Sequence, residues 1–166
     1  INEPANLHLP PKRDHQQLHR FLHELERAKP AGIWPNWATL EGTLTGSQKR
    51  EMIVLVSDLH EHQNEITAAL SKLRALKNEV LLFHLMSRNE MAFDYAGFFT
   101  FEDLETGKTV QVDAQQARSS YLKNLQHQLQ ATKQALREQN LAYELLTLDQ
   151  PLDLALRKYL IQRTKL

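Results

Sequence analysis

Apolar positions along this chain recur at two spacings, and each change of spacing marks a new element. Leu7-His8-Leu9 is a short apolar stub closed by Pro10 and Pro11. From Asp14 onward Leu18, Phe21, Leu22 and Leu25 recur at helical intervals, and Pro30 and Gly32 end that helix. Ile33 to Ser47 holds both tryptophans, Trp34 and Trp37, with a short helix expected around Ala38 to Leu44. Met52-Ile53-Val54-Leu55-Val56 is a continuous apolar, largely β-branched run, which predicts a strand buried on both faces of a parallel sheet. It stops at Ser57-Asp58. A helix carrying Ile66, Ala69, Leu70, Leu73 and Leu76 follows, and then a second buried strand, Val80 to Leu85. Strand, helix and strand in this order predict a right-handed βαβ unit.

Phe98 to Phe101 and Thr109 to Val112 flank an acidic turn containing Gly107, the pattern of a β-hairpin inserted after the second strand. A long amphipathic helix is expected from about Ala114 to Gln139, with Tyr121, Leu122, Leu125, Leu129 and Leu136 on its inner face. Ala142 to Leu146 reads as a third strand. Asp149 and Pro151 sit where a helix cap and first turn belong, and the last helix carries Leu152, Ala155, Leu156, Tyr159 and Leu160. Strands alternating with helices predict an α/β fold, a mostly parallel sheet with helices on both faces, as one domain over 1–166.

Charge narrows the function. Lys+Arg and Asp+Glu both number 20, so the 166-residue chain is formally neutral. Phosphate affinity rests on clustered, uncompensated cations, so a general nucleic-acid partner is not expected, nor is a polybasic membrane-surface role. There are no cysteines, which removes disulfides, thiolate metal sites and cysteine nucleophiles. The apolar runs are too short to span a bilayer, and no signal peptide opens the chain. A cytoplasmic setting is expected, with the parent protein able to carry a membrane anchor elsewhere. The chain starts at Ile1 without a methionine and reads as an excised piece.

Few residues offer chemistry. Ligands of open α/β sheets bind beyond the carboxyl ends of the strands, and Asp58 stands at such an end beside Ser57. A carboxylate there can hold a hard cation such as Mg²⁺; equally, it can cap the helix that follows. His60-Glu61-His62 lies close by and also fits a polar helix start. His15, His19 and His23, four apart, share one side of a helix and have a spacing that can pinch Zn²⁺, although Arg20 stands where a zinc protease needs glutamate. Gly107-Lys108-Thr109 imitates the end of a phosphate loop, but Glu102 replaces the required glycine and a strand, not a helix, follows. Glu102, Asp103 and Glu105 read as a solvated turn in preference to a catalytic carboxylate pair. Trp34 and Trp37 are either a contact patch or a cover for the sheet. No nucleophile elbow and no dinucleotide-binding glycine turn occurs.

Several stretches together resemble a known family. Ile53-Val54-Leu55-Val56-Ser57-Asp58-Leu59 is similar to the central strand of von Willebrand factor A domains. Phe101-Glu102-Asp103-Leu104-Glu105-Thr106-Gly107, Tyr121, and Asp149-Gln150-Pro151-Leu152 through Ala155-Leu156, Tyr159-Leu160 and Arg163 resemble a bacterial branch of that superfamily called domain of unknown function 58. The resemblance runs from Leu9-Pro10-Pro11 to Arg163. It implies a Rossmann-like three-layer sandwich of the von Willebrand factor A type, here amino-terminally incomplete, with its first strand missing. It also implies a protein-interaction module, not an enzyme, working with a MoxR-type AAA+ ATPase in protein maturation or assembly.

The family's metal-ion-dependent adhesion site uses an Asp-x-Ser-x-Ser motif, a threonine and a later aspartate. Only the aspartate maps here, onto Asp58; the motif is absent and the threonine position falls near Trp34. Mg²⁺ or Mn²⁺ is therefore a cofactor expected of the complete domain and not of this chain. An unpaired sheet edge favours a homodimer. The alternative is a metal-dependent hydrolase using Asp58 with His60 or His62. Such an enzyme needs a second carboxylate or histidine at another strand end, where Glu90 is the candidate.

Overall fold

The computed structural model describes residues 9, 12–29, 34, 36–44, 50–60, 64–103 and 106–163. The stub around Leu7, the stop at Pro30 and Gly32, His62 and the Leu104-Glu105 part of the hairpin motif lie outside those residues. The chain divides into two units, 1–49 and 50–166.

In the first unit α1 spans His15–Arg27, and the Asp14 carboxylate accepts the Gln16 N–H at 3.1 Å as its amino-terminal cap. Its leucines and Phe21 follow helical periodicity, yet none of its residues is buried. The second helix, α2, spans Trp37–Leu44; the Asn36 side chain accepts from the Thr39 N–H at 3.0 Å and from the Thr39 hydroxyl at 3.2 Å.

The second unit is mixed α/β and carries the expected mostly parallel sheet. Its strands are β1 (Met52–Ser57), β2 (Glu79–Met86) and, beyond the hairpin, β5 (Ala142–Thr147), in the order β1-β2-β5 with both pairings parallel. The hairpin strands β3 (Phe98–Glu102) and β4 (Thr109–Asp113) pair antiparallel, Phe98 opposite Asp113. Three longer helices complete the unit: α3 (Glu65–Ala75), α5 (Ala114–Glu138) and α6 (Leu152–Arg163). A short helix that the apolar pattern did not announce, α4 (Arg88–Ala92), links β2 to the hairpin.

The two faces of β2 are covered by different helices. Leu81 and Phe83 form a cluster with Leu146 and Tyr159 of α6, the Tyr159 ring meeting Phe83 edge-on at 5.9 Å. On the opposite face the alternation places Val80, Leu82, His84 and Met86, and there α3 contributes Ile66, Ala69, Leu70 and Leu73. Fully burying a leucine such as Leu82 contributes roughly 1.5–3 kcal/mol. Asn78 ties the start of the sheet to the end of α3: its side chain accepts the Glu51 N–H at 3.0 Å and donates to the Leu73 carbonyl at 3.1 Å.

Three expectations need correcting. β1 is not buried on both faces, because Met52, Val54 and Val56 are exposed and only Ile53, Leu55 and Ser57 are half-buried. It is an edge among the described strands, and the Tyr159 cluster runs over β2 and β5 only. Leu76 is not on the buried face of α3, since the helix ends at Ala75 and Leu76 is its exposed cap. In α6, Leu152, Leu156 and Leu160 stay exposed while Tyr159 is buried.

Candidate functional site

The polar residues of the second unit gather at the carboxyl ends of β1 and β2. β1 runs out at Ser57, and the chain turns through two side-chain-to-backbone bonds: Ser57 Oγ accepts the Leu59 N–H at 3.1 Å, and Asp58 Oδ1 accepts the His60 N–H at 3.2 Å. Leu59 takes a left-handed φ of 55°, a conformation that costs a residue with a Cβ about 1–2 kcal/mol. Asp58 is exposed and does not cap the following helix. That helix starts at Glu65 after Asn64, and His60 is likewise outside it.

His84, register partner of Ser57 in β2, holds this turn in place. Its Nε2 lies 3.1 Å from the Asp58 carbonyl and its Nδ1 lies 2.9 Å from the Tyr143 hydroxyl. A carbonyl can only accept, so Nε2 carries the proton and Nδ1 accepts from Tyr143. Burial pushes the His84 pKa down, opposed by its bond to the Asp58 carbonyl and by the Asp58 and Glu90 charges. Burial, with a smaller contribution from Glu144, pushes the Tyr143 phenol up to about 12. The pair is therefore neutral at physiological pH and serves to position Asp58.

Beyond β2 the sequence Ser87-Arg88-Asn89-Glu90 forms a capping box. Ser87 Oγ accepts the Glu90 N–H at 3.2 Å, and Glu90 Oε2 accepts the Ser87 N–H at 2.6 Å. The box turns Glu90 back toward the first strand, so its other oxygen lies 4.0 Å from His60 Nε2. Asp58, His60, His84, Glu90 and, from α5, Tyr121 line one open cavity of about 630 Å³. Glu90 is thus the second carboxylate that the hydrolase alternative required at another strand end. The cue for its placement was in the sequence, as Ser-x-x-Glu.

A hard cation such as Mg²⁺ takes about six oxygen ligands. The carboxylates lining this cavity are those of Asp58 and Glu90, and each, like the nearby Ser57 hydroxyl, already accepts a backbone N–H. Among the described residues no three His, Asp or Glu converge to hold a metal. Among the described residues, two carboxylates that are each partly engaged by backbone fall short of that ligand set.

The other singled-out residues lie elsewhere. His15, His19 and His23 are exposed on α1 in the first unit, with Arg27 Nη1 3.4 Å from His23 Nε2. In the hairpin Asp103 has a structural task. Its carboxylate accepts both the Thr106 N–H at 3.3 Å and the Thr106 hydroxyl at 2.6 Å, and its carbonyl accepts the Gly107 N–H at 2.7 Å. Gly107 has φ 67°, the left-handed turn position that suits glycine. Thr109 begins β4, as the rejection of a phosphate loop required. Trp34 and Trp37 are half-buried in the first unit. No described helix is long and apolar enough to cross a membrane.

The fold is thus mixed α/β with a mostly parallel sheet, and an open cavity lies beyond the carboxyl ends of its strands, where open α/β sheets place their ligands. The family model described as Protein of unknown function DUF58 matches residues 1–131, and the chain belongs to that family. The match covers β1, β2, the hairpin and most of α5. Comparison with curated proteins gave no match, and comparison with solved structures gave none either.

Proposed function

We propose that this chain is a protein-interaction module of the von Willebrand factor A type, a Rossmann-like three-layer sandwich. It binds through the carboxyl end of its parallel sheet and acts with a MoxR-type AAA+ ATPase in the maturation or assembly of other proteins. The observation that carries this reading is the gathering of Asp58, His60, His84 and Glu90 around one open cavity beyond two adjacent parallel strands. Asp58 is exposed there, while its own carbonyl is held by a buried histidine. Such a carboxylate is already oriented and loses little freedom when a partner's N–H or cationic group meets it. A cytoplasmic setting goes with an ATPase partner, and the edge that β1 forms among the described strands offers a homodimer contact.

Co-sedimentation of the chain with a MoxR-type AAA+ ATPase of the same organism tests the reading. Asp58→Ala is expected to weaken binding at least about tenfold, the effect of removing a charged hydrogen-bond partner from an interface. His19→Ala on α1 is expected to leave it unchanged. Binding that is insensitive to Asp58→Ala, or no binding at all, overturns it. The hydrolase alternative is favoured by one distance, the 4.0 Å between His60 and Glu90. It predicts ester or phosphoester hydrolysis with added Mn²⁺ or Zn²⁺ that is lost in both Asp58→Ala and Glu90→Gln.

A further inference from the structure

Next to the polar cavity lies a second one of about 410 Å³, and Glu90 and Tyr121 line both. Its lining combines Phe93, Tyr95, Phe101 and Tyr121 with Val112, Ala117, Asn89 and Glu90. The rings form one connected set. Phe93 stacks on Tyr121 at 4.4 Å and meets Tyr95 edge-on at 5.3 Å, and Tyr95 meets Phe101 edge-on at 5.3 Å. We propose that this cavity receives a basic side chain, arginine foremost, from a protein partner; the proposal rests on the protein-binding reading above.

Three observations support it. The lining is aromatic apart from small and polar fillers, and Glu90 is the one ionised side chain among its described lining residues. Ring faces carry negative quadrupole potential, and Glu90, shared with the neighbouring open cavity, adds negative charge at one margin, so the cavity is complementary to a cation. Secondly, the rings do not close into a core. Phe93 is buried, but Tyr95, Phe101 and Tyr121 are only half-buried and Phe99 is exposed, and the cavity falls within the size range of ligand pockets. Thirdly, Phe93 ends α4 at φ 46°, a left-handed cap where glycine is customary. The chain tolerates that strain in a bulky aromatic residue whose ring is the hub of the set. Arginine is preferred over lysine because a planar guanidinium stacks on ring faces and pairs with a carboxylate at the same time.

The test is an NMR titration of the whole chain with N-acetyl-arginine amide and with its neutral isostere, N-acetyl-citrulline amide. Arginine amide is expected to shift the ring resonances of Phe93, Tyr95, Phe101 and Tyr121, with a dissociation constant on the order of 1 mM for an isolated side chain. Citrulline amide should bind at least about tenfold more weakly. Glu90→Gln preserves the capping box, where glutamine serves as well as glutamate, and should weaken arginine amide by about tenfold with an unchanged melting temperature. Tyr95→Leu, which keeps the apolar bulk but removes the ring, should weaken it several-fold. Equal binding of citrulline amide, an affinity unmoved by Glu90→Gln, or shifts confined to other residues each overturns the proposal. Arginine-amide binding that persists when the ATPase fails to co-sediment would sink that partner and leave the cavity's preference standing. ATPase binding without any arginine-amide response would do the reverse.

Discussion

Val54 and Leu81 are register partners across the β1–β2 ladder, yet Val54 is 47% exposed and Leu81 1%. The next such pair repeats the contrast, with Val56 at 56% and Phe83 at 6%. The two strands have the same kind of sequence, a largely apolar run, and pair with each other over the whole length of β1. What separates them is position. β2 has a strand on each side and a helix layer against each face, whereas among the described strands β1 has a neighbour on one side only, and the Tyr159 cluster does not extend to it. An apolar run specifies a strand that is able to be buried. The number of neighbours decides whether it is.

That contrast can be broken first at its buried end. Leu82→Ala, at a position with no exposed surface, should destabilise the fold by about 3 kcal/mol through lost transfer energy and a residual cavity. Thermal melting should register this as a fall of roughly 10 °C, and a fall under a few degrees would mean that β2 is not the centre of the core. Asn78→Ala comes next. It leaves the Glu51 N–H and the Leu73 carbonyl without their side-chain partner at a buried site, and should cost about 2 kcal/mol by urea unfolding.

His84 sharpens the comparison by pH. Burial holds the folded imidazole below its ordinary value of 6.5, so the unfolded chain takes up the proton first. The stability that neutral His84 contributes is whole above 6.5 and is lost as the pH falls through the folded value. The melting temperature should therefore drop as the pH falls from 6.5 through the lowered folded value. His84→Gln should flatten this part of the profile, and an unaltered profile in the variant would assign the drop to other groups. On the exposed strand, Val54→Thr should change stability by no more than about 0.5 kcal/mol in the same urea assay. A larger loss would show that something covers β1 in solution.

The smallest expected effect is that of a cation. With each described carboxylate already engaged through one oxygen by a backbone N–H, millimolar Mg²⁺ or Mn²⁺ should move the melting temperature by less than about 1 °C. A larger rise, abolished by Asp58→Ala, would mean that residues beyond the described ones complete a site.

Much of the site was legible because some of its features are local. Asp58 at the end of an apolar run announces a strand terminus, and the hairpin around Gly107 follows from spacing and composition. The role of Asp58 in its loop was less accessible. Helix capping and the observed backbone turn draw on the same side-chain chemistry, and only the position of the helix start at Glu65 separates them. His84 passed as one polar letter in a buried strand. Its task depends on the Asp58 carbonyl, 26 residues earlier, and on Tyr143, 59 later. The aromatic cavity was equally hidden, since Phe93, Phe101 and Tyr121 come from a helix end, a hairpin and a long helix.

The sequence by itself determined the kinds and order of the elements other than α4, the parallel ladder of apolar strands and the hairpin, because backbone propensity and apolar periodicity act over a few residues. Only the tertiary structure decided that β1 is an edge, that α6 buries a tyrosine and not its leucines, and that His60 and Glu90 face one cavity. Those outcomes depend on which surfaces meet across the sheet, and burial and charge complementarity are properties of neighbours in space, not of neighbours in the chain.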